Sequence, residues 1–174
     1  MNQVETAAGL QWDWRQPAAL KRFHELTCGG DVIGTLQFAG GCGSLATAES
    51  AYGSWTFKRA GFLSPRITVR KVDESGELAV FVPKWTGGGE LHMTGGESYK
   101  LKCLSFWGGD WAFENQRGEA LLSLHGPHGF LKNHGEIVVN AAVDSATLTL
   151  LAALAWYVRL LMNEDAVMTS VIIS

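Results

Sequence analysis

Five cations, Lys58, Arg59, Arg66, Arg70 and Lys71, fall between Ser50 and Val72, and no acidic residue interrupts them. Ammonium and guanidinium groups at that density can hold a phosphate or carboxylate, Lys as a point charge and Arg as a planar fork. The text around them alternates. In "RITVRKV", Arg66, Thr68 and Arg70 share one face of a strand and Ile67 and Val69 the other; in "SWTFKR", Thr56 and Lys58 oppose Trp55 and Phe57. Paired as a hairpin, the two strands would bring three cations to one outer face. Lys100 and Lys102 in "SYKLKC" repeat the arrangement. The competing role of such residues is to keep the solvent side of a sheet soluble.

Other clusters carry less chemistry. "HGPHGFLKNH" holds His125, His128 and His134, but Gly-Pro and Gly-Phe make it a turn, without the helical i, i+4 pairing or acidic partner of metalloenzyme motifs. A solvated loop and no metal are expected. Cys28, Cys42 and Cys103 are odd in number and lack C-x-x-C spacing, which argues against a disulfide framework or a cysteine zinc site. Cys103 sits in a strand pattern with no helix N-terminus nearby to lower its pKa. "PKWTGGGEL" lacks the Lys-Ser/Thr of a phosphate loop and opens no helix, so its glycines predict a wide turn or bulge. With no G-x-S-x-G, H-E-x-x-H or G-x-G-x-x-G in the chain, no catalytic residue, enzyme activity or cofactor is predicted. Trp85, Trp107 and Trp111 lie near predicted turns, where aromatics either meet a ligand or lipid or pack across the end of a barrel.

The 174 residues suffice for one domain with a sizeable core. A net charge of −3 supplies no overall positive field for nucleic acid or an anionic membrane, so any electrostatic partner must be read from local patches. Glycine, 21 residues scattered as GG and GGG, marks many tight turns. "MNQVETAAGLQWDWRQPAAL" has no apolar core of a signal peptide, so residues 1–19 are expected to be an N-terminal extension and the chain cytoplasmic.

From about 20 to 142, period-2 runs broken by glycine turns predict eleven strands: "KRFHELTC", "DVIGTLQF", "GSLATAES", "SWTFKR", "RITVRKV", "ELAVFVPK", "ELHMTG", "SYKLKCLSF", "DWAFENQ", "ALLSLHG" and "EIVVNAA". "GSWTFKRAG" and "GDWAFENQRG" repeat a W-x-F pair, which suggests two parts of a sheet packing on one shared object. The alternative is that W-x-F is simply frequent in β-rich sequence. Separately, "ATLTLLAALAWYVRLLM" is apolar on every side, capped by Asp144 or Ser145 and stopped by Asn163, Glu164 and Asp165. A helix over about 145–163 follows, and β-branched "AVMTSVIIS" predicts a twelfth strand over about 166–173. Seventeen residues span about 25 Å against roughly 30 Å of hydrocarbon. Acids flank the segment, and no basic cluster or interfacial aromatic does, so no transmembrane insertion is expected. The expected fold is therefore mostly β, a closed antiparallel barrel of about 12 strands around a central hydrophobic C-terminal helix.

"GSWTFKRAGFLSPRITVRKV", "AVFVPKWTGGGEL", "FWGGDWAFENQRGEALLSL" and "SATLTLLAALAWYVRLL", in that order over about 20–174, resemble the Tubby C-terminal-like superfamily, which includes LURP-one-related proteins and phospholipid scramblases. The resemblance implies a barrel with a threaded helix and a non-enzymatic binding or interaction module. The family's basic site has no residue-by-residue match in this sequence, so the candidate site is the cation cluster itself: the expected partner is an anionic phospholipid headgroup held on Lys58, Arg59, Arg66, Arg70 and Lys71, or a protein. Scramblase-like members add a Pro-rich arm, a cysteine cluster and an acidic calcium-binding stretch, none of which stands in this sequence. A scramblase-like protein anchored in a membrane by 145–163 is the alternative.

Overall fold

The computed structural model describes residues 5–6, 8–105, 109–126 and 134–174. Its strands are β1 (Glu5–Thr6), β2 (Gln11–Arg15), β3 (Phe23–Cys28), β4 (Asp31–Phe38), β5 (Ala46–Ser50), β6 (Gly53–Ala60), β7 (Arg66–Lys71), β8 (Ala79–Pro83), β9 (Gly89–Met93), β10 (Ser98–Cys103), β11 (Asp110–Glu114), β12 (Ala120–His125), β13 (His134–Val139) and β14 (Val143–Asp144); one helix, α1, covers Ser145–Ile173. Strands β2 to β13 run up and down in sequence order, and β13 closes on β2 through the Ile137–Trp12 and Gly135–Trp14 pairs. The result is a closed antiparallel barrel. Closure leaves no unpaired edge along the wall. Eleven of the twelve staves are the eleven predicted strand runs, and the twelfth is "QWDWR", whose Trp12 and Trp14 point inward and are buried. The segment expected to be an extension is therefore part of the wall.

Helix α1 enters at the end where β13 finishes. There β14 pairs with β1, and the Asp144 carboxylate accepts a hydrogen bond from the Thr147 N–H at 2.8 Å as the N-cap. Every residue from Leu148 to Leu161 is buried. The helix continues past Asn163 to Ile173, so the expected strand over 166–173 is helical instead. A last strand needs a free sheet edge, and the β13–β2 pairing has removed it. Continuing the helix keeps every backbone group bonded within the segment.

The two W-x-F pairs do face one object. Trp55 and Phe57 on β6, and Trp111 and Phe113 on β11, are buried on the inner wall, five staves apart in the ring, with α1 against both. Phe57 meets the Tyr157 ring at 5.2 Å, and Phe38 stacks on the same ring at 5.5 Å. Across the helix Trp156 stacks on Trp14, with centroids 5.9 Å apart, and takes the edge of His24 at 5.8 Å. Gly135 makes room for this stack, since a Cβ there would sit 2.5 Å from the Trp156 ring. A gap beside the stack, lined by Trp14, Leu26, Trp55 and Ala153 among others, is about 10 Å³. That is space for one water and for no larger ligand.

Burial, and secondarily the Arg22 charge, push the His24 pKa down to about 4. The unfolded chain protonates near the ordinary 6.5, so this contribution to stability is whole above that pH and is lost as pH falls from 6.5 towards 4. Between pH 7 and pH 5, urea unfolding of the wild type should lose about 2 kcal/mol more than His24→Gln. Trp156→Ala should cost about 3–5 kcal/mol by the same measurement, whereas Val171→Ala, on the exposed part of the same helix, should change stability by less than about 0.5 kcal/mol.

Candidate functional site

The β6–β7 hairpin forms in the register Lys58↔Thr68, Thr56↔Arg70 and Ala60↔Arg66. Lys58 therefore lies diagonally between Arg66 and Arg70 on the outer wall, at the roughly 7–8 Å spacing of diagonal cross-strand neighbours. All three are exposed. Arg70 makes only a long 3.9 Å contact with Glu77, and among the described residues Lys58 and Arg66 have no ion-pair partner. Phosphate oxygens between Lys58 and Arg66 would meet one ammonium and one guanidinium already held by paired strands.

The other two cations of the cluster are placed elsewhere. Arg59 lies on the inner side of β6 beside Trp55 and Phe57, and at the rim it forks onto both Asp165 oxygens, at 2.6 and 3.1 Å. Its hydrogen bond to Asp165 raises its pKa further above an already high value. Lys71 stands at the opposite end of the hairpin and pairs with Glu74 at 2.9 Å. Lys100 and Lys102 do not form a second open patch: Lys102 pairs with Glu114 at 2.7 Å, and Lys100 lies in register with both Glu90 and Glu114.

Asp165 and Glu164, which mark the end of the apolar pattern, are the exit clamp of the helix. Arg22 forks onto Glu164 at 2.8 and 3.0 Å, donates to the carbonyls of Gly43 and Gly41 at 2.8 and 3.3 Å, and lies 4.0 Å above the Phe38 ring. The Tyr157 hydroxyl donates to the Ser44 carbonyl at 2.6 Å, and burial pushes its pKa up to about 12. One mouth of the barrel is thereby tied to the helix through the β2–β3 loop, β6 and the β4–β5 loop. Arg159, buried one turn below, donates to the Gly109 carbonyl at 2.9 Å, and a Cβ on Gly126 would overlap its guanidinium.

The remaining sequence clusters resolve structurally. His125 Nδ1 lies 3.0 Å from Asp110, and His134 Nδ1 lies 3.2 Å from the Trp14 carbonyl; His128 and Trp107 are outside the described residues. Among the described residues no three His, Cys, Asp or Glu side chains converge as a metal site. Gly88 adopts φ +75 under the Leu101 carbonyl, where any Cβ would overlap the oxygen, so the GGG run is a close approach of turn and wall. Trp111 is in the core, and Trp85, at the tip of the β8–β9 loop, is fully exposed.

No protein-family profile and no curated protein matches the chain. Among solved structures, it is similar to the X-ray structure of a protein from Arabidopsis thaliana, AT5G01750, with a TM-score of 0.58 and 12% identity over 88% of this chain and 96% of that one. At that identity the likeness is one of fold: a closed barrel of twelve strands with a C-terminal helix.

The exit clamp is half-exposed, with Arg59 and Asp165 side chains 32% and 57% accessible. A double-mutant cycle with Arg59→Ala and Asp165→Ala should therefore give a coupling of only about 0.5–1 kcal/mol in unfolding free energy, reduced in 1 M NaCl.

Proposed function

We propose that this protein is a non-enzymatic binding module of the Tubby C-terminal-like type, related to the LURP-one-related and scramblase-like barrels, and that it recognises anionic groups, in particular phospholipid headgroups, on the outer face of the β6–β7 hairpin. The observation that carries this reading is the register that sets Lys58 between Arg66 and Arg70 on an open wall, while Lys58 and Arg66 have no ion-pair partner among the described residues. Arg59 and Lys71 drop out of the binding set because each is engaged by a carboxylate. The twelve-stranded barrel with its helix supports the family assignment at the level of fold.

An external site also follows from how the interior is used. The helix and the inward side chains occupy the space that larger barrels reserve for ligands. The alternative, a membrane anchor formed by 145–163, would require Leu148 to Leu161 to leave the wall that encloses them. Of the most apolar 18-residue window of α1, 83% is buried in the barrel. Withdrawing it would strip the inner faces of β4, β5, β6, β11 and β12 of their packing partner.

Flotation with neutral phosphatidylcholine vesicles and with vesicles containing phosphoinositide tests the proposal. Binding of Lys58→Ser/Arg66→Ser/Arg70→Ser to the phosphoinositide vesicles should fall at least about tenfold, at roughly 1 kcal/mol per cation near a charged surface, and wild-type headgroup binding should weaken between 0.1 and 0.5 M salt. Unchanged binding by the triple variant would remove the hairpin face from consideration.

A further inference from the structure

Among the described residues, the large apolar side chains that are 80% or more exposed are Leu20, Phe62, Leu63, Trp85, Ile172 and Ile173. Their positions in the chain are scattered, but their place in the fold is not. In an up-and-down barrel alternate connections lie at the same end. The β2–β3 loop with Leu20, the β6–β7 loop with Phe62 and Leu63, and the β8–β9 loop with Trp85 all lie at the mouth from which α1 emerges. Ile172 and Ile173 stand on the emergent helix itself, with Val167, Met168 and Val171 also exposed. An apolar concentration of this kind marks an interaction surface.

We infer that this mouth docks end-on against a phospholipid bilayer, with the Ala166–Ile173 part of the helix and the Phe62–Leu63 and Trp85 loop tips entering the lipid. Three observations select lipid over another occupant. The hydroxyls of the emergent helix are satisfied within it: Thr169 donates to the Asp165 carbonyl at 2.9 Å, Ser170 to Val167 at 2.7 Å and Ser174 to Ser170 at 2.5 Å. Hydroxyls bonded back to their own helix need no water or partner group, which is the condition hydrocarbon imposes on any polar atom. At 1.5 Å per residue, Ala166–Ile173 reaches about 12 Å, within the depth of one leaflet of a ~30 Å core.

Charge also distinguishes the two ends of the barrel. Among the described residues, loops at the far end carry Asp73, Glu74, Glu77, Glu97 and Glu119 against Arg117, with Glu74 paired to Lys71, whereas loops at the mouth carry no acid and the cations Lys21, Arg22 and Lys84, of which Arg22 is paired with Glu164 and Lys84 with Glu90. The two carboxylates at the base of the emergent helix are each forked by an arginine. An anionic membrane would therefore repel the far end and accept the mouth. Phe62 and Leu63 join β6 to β7, so docking by the mouth would also bring Lys58 and Arg66 to the headgroup layer. The apolar contact does not rest on the headgroup site, because it does not require anionic lipid.

Flotation of the full chain on neutral phosphatidylcholine vesicles in 0.5 M salt isolates the apolar contact. The wild type should float, and Val171→Asp/Ile172→Asp should float at least about tenfold less, because a carboxylate is strongly disfavoured in hydrocarbon. Both positions are exposed, so circular dichroism and the unfolding midpoint should match the wild type. Vesicles with brominated acyl chains should quench part of the tryptophan emission of the wild type, and Trp85→Phe should lose that quenched part. Lys58→Ser/Arg66→Ser/Arg70→Ser should float on neutral vesicles as the wild type does, so failure of the headgroup site and failure of the lipid-docking mouth are separable. Absence of wild-type flotation, equal flotation of the aspartate variant, or concentration-dependent self-association without flotation, which would assign the surface to a second copy, would each overturn the inference.

Discussion

A helix with no polar face has to be surrounded, and the barrel follows from that requirement. Leu148 to Leu161 present apolar atoms in every direction, so packing against a single sheet would leave half of the helix in water. Twelve strands closed into a ring meet the whole circumference. The wall depends on the helix in return. Its inner faces are lined by tryptophan, phenylalanine and leucine, and with the helix removed they would enclose a void that no native core tolerates. The aromatic contacts show how the fit is adjusted locally: Trp156 takes the side where Gly135 has no side chain, and Tyr157 takes the side where Phe38 and Phe57 converge.

Filling the interior leaves the outer wall and the ends as the surfaces open to a ligand. The outer wall is mostly neutralised strand by strand, as in the Arg15–Glu25, Lys84–Glu90 and Lys102–Glu114 pairs. Exposed ion pairs of this kind contribute little to stability but leave little net charge for a ligand to find. Against that background Lys58 and Arg66 differ from their neighbours by what they lack. Their partners across the hairpin are Thr68 and Ala60, which carry no charge, so the local field is not cancelled by the sheet itself.

Much of the fold was legible because period-2 alternation survives wherever one face of a strand is buried. All eleven strand runs read between 20 and 142 appear in the wall, and the helix starts at the predicted cap. The twelfth stave was visible in principle, since Trp12 and Trp14 flank Asp13 in the same alternation. Five residues between "TAAGL" and "QPAAL", neither of which alternates, gave too short a window to separate a strand from an extension. The end of the helix misled for a physical reason: Val167, Val171, Ile172 and Ile173 have strand propensity, but propensity is weak beside the absence of an edge to pair with. For the cation cluster, alternation correctly predicted which side chains share a face. It could not reveal that Arg59, on the inner face, would find Asp165 across 106 positions of sequence.

That pair and its companion, Arg22–Glu164, explain how one helix can have two characters. Below the clamp the segment is enclosed, and its one charge, Arg159, is spent on a backbone carbonyl inside the rim. Above it the same helix is exposed and nearly as apolar. Two carboxylates at the boundary would ordinarily mark the place where a helix meets water and stops. Each is instead forked by an arginine from the wall, so the charges hold the helix at a fixed height without ending it. The height matters because it sets how far Val171, Ile172 and Ile173 project beyond the loop tips that carry Phe62, Leu63 and Trp85. A barrel that only needed to bury its helix could end it at Leu161. Continuing it for three further turns, with every hydroxyl bonded inward, produces an apolar projection on a rigid base, and that geometry suits a surface that meets lipid end-on.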